Sequence, residues 1–216
     1  MKGTRHNGRS GKDGVYNPLH NDRRFDPEHS EHIDNERVRQ NIYWDCYQGY
    51  TTMEDRGEEN NFSFSQIELA YYSEHYSDYV INQNKRHEKA RHPDRCKGVE
   101  DILKNKKTCP EESIYQLGTI DEHASVETLV KVFDEFKKEF DERFGSNVHI
   151  IDWSLHMDEA TPHIHERHVF DATNRYGEIE PKQEAALEEL GFGLPNPEKK
   201  RSKTNNRKVV FDSACR

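Results

Sequence analysis

His156-Met157-Asp158-Glu159-Ala160-Thr161-Pro162-His163-Ile164-His165 is the stretch on which the reading of this chain turns. The residues leading into it alternate as a strand does. Val148, Ile150, Asp152, Ser154 and His156 fall on one face, and Ile151, Trp153, Leu155 and Met157 on the other. Pro162 and the Asp-Glu-Ala-Thr run before it predict a turn. On the returning strand His163 and His165 are two apart and share a face. A hairpin of this form sets His156 beside that pair, and three neutral imidazoles with an open further position can hold a catalytic divalent metal. In a chain with 13 histidines, three surface histidines on a hydrophilic strand pair are the alternative; the H-x-H spacing with a third His across the turn favours metal. The helical H-E-x-x-H of zinc proteases is absent.

Working outward, 216 residues suffice for one domain with a core, or one domain plus a tail. Charged residues outnumber hydrophobic ones, 34% against 31%, so part of the chain is expected to be exposed loop or extended segment. No apolar run approaches the ~20 residues of a membrane span, and the start lacks a signal-peptide core. Cys46, Cys96, Cys109 and Cys215 are far apart with no C-x-x-C pair, which suits neither a zinc spacing nor a disulfide framework. The expected compartment is a reduced bacterial cytoplasm. A net charge of −9 argues against a general nucleic-acid binder. The charge is uneven, however: Lys2, Arg5, Arg9, Lys12, Arg23 and Arg24 lie near one end, and Lys199, Lys200, Arg201, Lys203, Arg207 and Lys208 near the other. Contact with DNA through two basic ends and a metal is compatible with that pattern, as is a basic tail that is only a linker.

Residues 1–30 read as an extended basic arm. Asn41 to Tyr47 is a short aromatic strand candidate, and Phe64 to about Arg91 a helix with Leu69, Tyr72, Tyr76, Tyr79 and Val80 on one side. A short helix is expected at Gly98 to Asn105 and a strand at Ile114 to Ile120. The clearest helix runs from Val126 to Phe144, with Ser125 as N-cap and Val126, Leu129, Val130, Phe133, Phe136, Phe140 and Phe144 as its stripe. A last helix follows Pro181 to Leu190. The order predicts an α+β domain over residues 1–192, an antiparallel sheet with helices packed on one face. Residues 193–216 are expected to be a basic linker and the start of a truncated further element.

The segment H-M-D-E-A-T-P-H-I-H resembles the metal motif of the plasmid mobilisation and recombination (Mob/Pre) relaxases, of the HUH endonuclease class. The resemblance makes His163-Ile164-His165 the HUH element, His156 the third ligand and Glu159 an acidic neighbour. It extends through Glu112 to Gly118, the helix after Ser125 and Val148 to Met157. His6-Asn7-Gly8-Arg9 resembles the family's H-N-x-R motif, although only five residues precede His6 where members have a strand and loop. A second departure is Glu166-Arg167-His168, where members continue with apolar residues. Alternation puts Glu166 and His168 on a buried face, which requires either a bulge after His165 or a pairing of the two with each other or with a partner.

The resemblance implies a metal-dependent relaxase, with Mn²⁺ or Mg²⁺ as cofactor, that nicks a single-stranded or hairpin origin and stays linked to the new 5′ phosphate. His6 would attack phosphorus, Arg9 clamp a phosphate oxygen, and Glu159 orient a ligand or act as base. Tyr16 is the tyrosine alternative; Tyr43 and Tyr47 read as structural. His20, His29 and His32 have no pattern that singles them out, and Asp158 reads as a solvated turn residue. A homo-oligomer is possible. The competing readings are a silent DNA-binding relic and an unrelated metal-dependent phosphoesterase.

Overall fold

The computed structural model describes residues 3–8, 18–24, 33–34, 36–57, 61–119 and 121–215. Arg9 and Tyr16 therefore lie outside the described residues. In chain order the elements are β1 (Gly3–Gly8), α1 (Pro18–Asn21), β2 (Ile42–Asp45), β3 (Gly49–Thr52), α2 (Phe64–Lys89), α3 (Val99–Leu103) and β4 (Glu111–Leu117). They continue with α4 (Val126–Phe144), β5 (Val148–His156), β6 (His163–Thr173), β7 (Ile179–Pro181), α5 (Gln183–Glu189) and α6 (Arg207–Ala214). All strand pairs are antiparallel, in the order β1-β4-β6-β5-β2-β3, with β7 on the far end of β6. The fold is thus α+β, and the histidine hairpin β5–β6 is its centre.

The pairing of β5 with β6 is regular from His156↔His163 to Asp152↔Arg167 and then slips between Ile150 and Asp152. One extra residue, Ile151, changes the parity of the strand. The expected alternation holds for Trp153, Leu155 and Met157 but reverses before the bulge. Val148 and Ile150 join the clusters under α4, whereas Ile151 packs with Val169 under α2. No bulge is needed after His165, because Glu166 and His168 pair with each other: His168 Nδ1 lies 2.8 Å from Glu166 Oε1 in the buried interior.

The helices divide between the two faces. Phe133, Phe140 and Phe144 of α4 cover Trp153, Leu155, Ile164 and Phe170, with α5 and α6 beside them. Ser125 caps α4 by accepting from Thr128 N–H at 3.3 Å, as its position predicts. Gly118, at φ +102°, joins β4 to the loop before α4; a Cβ there would come within 2.2 Å of the Glu122 carbonyl. On the opposite face α2 begins with a capping box between Ser63 and Gln66 and buries Ile67, Tyr71, Tyr72, Tyr76 and Val80. Its stripe is rotated from the expected one, so Leu69 is only half-buried while Glu68 is inside.

Residues 193–215 fold, contrary to their reading as linker. Asn205 knits the loop by donating from Nδ2 to the carbonyls of Asn196, Lys199 and Lys200, and Arg207 pairs with Glu184 and Glu188. Phe211 of α6 is fully buried among Phe140, Phe144 and Phe170, a burial that stabilises by ~2 kcal/mol. The arm likewise contains structure: Gly3 to Gly8 pair with Leu117 to Glu112 as an edge strand.

Candidate metal centre

The β5–β6 register sets His156 opposite His163 and Ser154 opposite His165. Their rings converge, with centroids 4.8 Å apart for His156–His165 and His163–His165, and 5.6 Å for His156–His163. Hydrogen bonds fix the tautomer of each ring. His163 Nδ1 lies 2.8 Å from the Thr161 carbonyl and must donate to it, leaving a lone pair on Nε2. His165 Nδ1 faces the buried Glu112 carboxylate, which again places the lone pair on Nε2. His156 Nε2 lies 2.9 Å from the Asn21 carbonyl, and its Nδ1 is buried with no hydrogen-bond partner.

These tautomers suit a bound cation. Nε2 of His163 and Nε2 of His165 are 2.9 Å apart, and two lone pairs at that distance repel unless a positive centre lies between them. Ligand nitrogens ~2.1 Å from a metal and at right angles lie about 3 Å apart, so the spacing suits adjacent ligands of one ion. Glu159 adds a carboxylate, its Oε1 3.7 Å from His156 Nδ1 and its Oε2 3.7 Å from His163 Nε2. Buried Nδ1 of His156, with no other partner, fits the same ion. The residues present therefore suit a divalent metal.

The electrostatics keep the rings in their ligating form. Burial, then the neighbouring His163, lowers His165 to about 3; burial, then His165 and Arg23, lowers His156 well below the usual imidazole range. Burial alone would raise Glu159 and Asp158, but hydrogen bonds from Arg23 hold both carboxyls below their usual values. Because His20, His156 and His165 bind protons less readily folded than unfolded, they favour the folded state fully above pH 6.5. That contribution is lost as pH falls from 6.5 toward the folded values, near 4 for His20, near 3 for His165 and well below the usual imidazole range for His156. Thermal melts of metal-free protein should show a falling Tm below pH 6.5, with a shallower fall between 6.5 and 5 for His165→Asn. Identical profiles for both proteins would contradict the burial of a neutral ring.

Glu112 went unnoticed as a site residue in the sequence, where it sits in an ordinary strand two strands from β5. Its register, Glu112↔Arg167, places it on the metal face one step from His165. A carboxylate on the far nitrogen of a ligand imidazole fixes the ring and raises its basicity. Glu112→Gln should weaken Mn²⁺ binding by about 10- to 100-fold in an EPR titration; unchanged affinity would show that the carboxylate does not tune the ligand.

The structure brings His156, His163, His165 and Glu159 together and does not bring His6 to them. His6 is exposed on β1 and pairs with Ile114, whose own partner across β4–β6 is His165. It shares the face of the histidine cluster, but the whole of β4 separates it from the candidate ligands. Another imidazole takes the adjacent place. His20 of α1 has its ring centroid 5.5 Å from that of His156 and 5.4 Å from that of His165, and its Nε2 lies 3.7 Å from Glu159. The sequence carried a signal for it: His20-Asn21-Asp22-Arg23 is a second H-N-x-R match, fourteen residues after the first. Arg23 is fully buried and gripped by both Asp158 oxygens at 2.9 and 2.8 Å and by Glu159 at 2.7 Å. Asp158 is accordingly an interior anchor and not a solvated turn residue. Burial, then the charge of Arg23, lowers His20 to about 4, so its ring is neutral near pH 7.

A family profile described as Mob_Pre, plasmid recombination enzyme, matches residues 69–190, more than half of the chain. No curated protein matches. Among solved structures, the MobM relaxase domain (MOBV; Mob_Pre) in Mn-bound form with plasmid pMV158 oriT DNA is similar at 18% identity and a TM-score of 0.50, covering 99% of both chains. Two more structures of that domain with the same origin DNA give 17% and 20% identity and TM-scores of 0.48 and 0.47. The first of these likenesses agrees with the α+β sheet described above.

Proposed function

This chain belongs to the Mob_Pre family of plasmid recombination enzymes, and from that premise we propose that it is a metal-dependent relaxase that nicks DNA at an origin of plasmid mobilisation or recombination. The observation that carries the reading is the opposed Nε2 pair of His163 and His165, closed by the orphaned Nδ1 of His156 and flanked by His20. Mn²⁺ and an origin strand, which the similar relaxase domain binds, are the cofactor and substrate proposed here, in a bacterial cytoplasm. No helix among the described residues is long and apolar enough to cross a membrane.

His156 Nδ1, His163 Nε2 and His165 Nε2 would hold the metal, with Glu159 as an oxygen donor. Bound there, a divalent cation supplies charge neutralisation to the scissile phosphate. The attacking group in this reading is His20, in place of His6. Its ring is neutral near pH 7, so a nitrogen lone pair is available without a separate base. The N–P bond forms as the P–O3′ bond breaks; the ring gives up its N–H proton, and the departing 3′ oxygen takes up one. The new 5′ phosphate stays on the protein, which conserves the bond for rejoining. Arg23, fixed by Asp158, holds Glu159 facing both the ligand rings and His20.

The test is covalency. Incubated with Mn²⁺ and labelled single strands tiled across the plasmid DNA flanking its reading frame, the protein should yield a protease-sensitive adduct on the new 5′ end at the nick. Cleavage without an adduct would make water the attacker and the protein a simple phosphoesterase; binding without cleavage would make it a DNA-binding relic.

A further inference from the structure

α1 is a single turn of four residues, too short to hold its own shape. The chain leaves it through Arg23, whose φ of +53° is a left-handed conformation that a branched or long side chain adopts only when its surroundings force it. Successive residues of this turn are tied to different elements. The Asn21 carbonyl accepts from His156; Arg23 grips Asp158 and Glu159; Arg24 donates to the carbonyls of Arg56 at 3.1 Å and Asn61 at 3.2 Å. Asp22, the unspecified position of H-N-x-R, is fully buried.

Its Oδ2 accepts the backbone N–H of Phe64, first residue of α2, at 2.9 Å, and pairs with Arg56 at 3.5 Å. A carboxylate at that place satisfies an orphan amide and meets the positive end of a 26-residue helix. The guanidinium of Arg56 is itself buried between the rings of Tyr43 and Phe64, 4.6 and 4.3 Å from their centroids, and donates to Thr51 Oγ1 at 3.4 Å. Neither residue touches a ligand ring, and both lie outside the family match at 69–190. Each nonetheless bears on the backbone from which His20 projects.

We propose that Asp22 and Arg56 are positioning residues for His20, latching the turn that carries it onto the N-terminus of α2. The inference rests on the reading of His20 as the attacking group. The latch predicts a particular kinetic pattern. Loosening it should spoil the alignment of nitrogen and phosphorus and leave the metal ligands, which belong to the β5–β6 hairpin, in place. A displacement of about 1 Å costs on the order of 100-fold in rate.

The experiment measures three quantities on full-length protein: single-turnover adduct formation at saturating single-stranded DNA, Kd for that DNA, and Mn²⁺ affinity by EPR. Asp22→Asn, which keeps the shape and the helix contact but removes the charge for Arg56, should slow adduct formation about 10- to 100-fold. Kd and Mn²⁺ affinity should stay at wild-type values. Arg56→Met should behave in the same way, and Arg56→Lys should recover part of the rate. Should Asp22→Asn fail to fold, the Arg56 pair decides alone. A wild-type rate in Asp22→Asn and Arg56→Met, with His20→Ala inactive, overturns the latch while sparing the reading of His20. A parallel loss of Mn²⁺ affinity and rate also overturns it, since the two residues would then support the whole site. An adduct that persists in His20→Ala removes both.

Discussion

His20→Ala should abolish the covalent protein–DNA adduct, lowering its rate of formation by roughly 10⁴-fold or more, while His6→Ala leaves the adduct near the wild-type level. The expectation follows from placement. The His20 ring lies against His156 and His165, whereas His6 occupies an edge strand with β4 between it and the ligands. Mn²⁺ affinity should survive in His20→Ala, because the three ligand rings come from the hairpin. If Mn²⁺ binding falls as far as it does in His163→Ala, His20 is a fourth ligand, and the attacker must be sought elsewhere. If His6→Ala is the inactive variant, β1 must move to the metal when DNA binds. Gel separation of labelled DNA before and after protease reads the adduct, and an EPR titration reads Mn²⁺ affinity.

The second large effect concerns the metal itself. Mn²⁺ at about 100 times its Kd should stabilise the folded wild type by about 2.7 kcal/mol, and for a domain of this size that raises Tm by about 5 to 10 °C. The double replacement His163→Ala and His165→Ala should eliminate the shift. In metal-free protein His163→Ala should cost little stability and can even add some, because it removes one of two lone pairs held 2.9 Å apart. The opposite result, a large metal-free loss with the Mn²⁺ response intact, would mean that the rings are packing groups.

Much of the hairpin was legible because strand alternation and turn chemistry are local. The convergence of His156, His163 and His165 needed only the period of a strand and the position of Pro162, and α4 needed only its stripe and its Ser125 cap. What escaped depends on contacts between distant parts of the chain. Asp158 looks like any turn acid until Arg23, 135 residues away, closes on it. Glu112 looks like a polar strand residue until β4 pairs with β6. Two copies of H-N-x-R are indistinguishable as strings, and only the position of α1 against His156 separates them. The tail read as linker for its Lys, Asn and Pro content, but Asn205 supplies internal hydrogen bonds and Phe211 an apolar anchor.

Ile151 acts on the central strand as an inserted letter acts on a reading frame. Downstream of it the odd-numbered residues Trp153 and Leu155 face α4; upstream, the even-numbered Val148 and Ile150 do. The two halves of β5 are therefore out of phase, and each obeys its own binary code. Running the same residues without the bulge would restore a single phase, bring Ile151 onto the face of Trp153 and turn Val148 and Ile150 toward the charged side, while the downstream half kept its place. The strand can consequently drift in composition ahead of the bulge without disturbing the phase in which Ser154 and His156 are set.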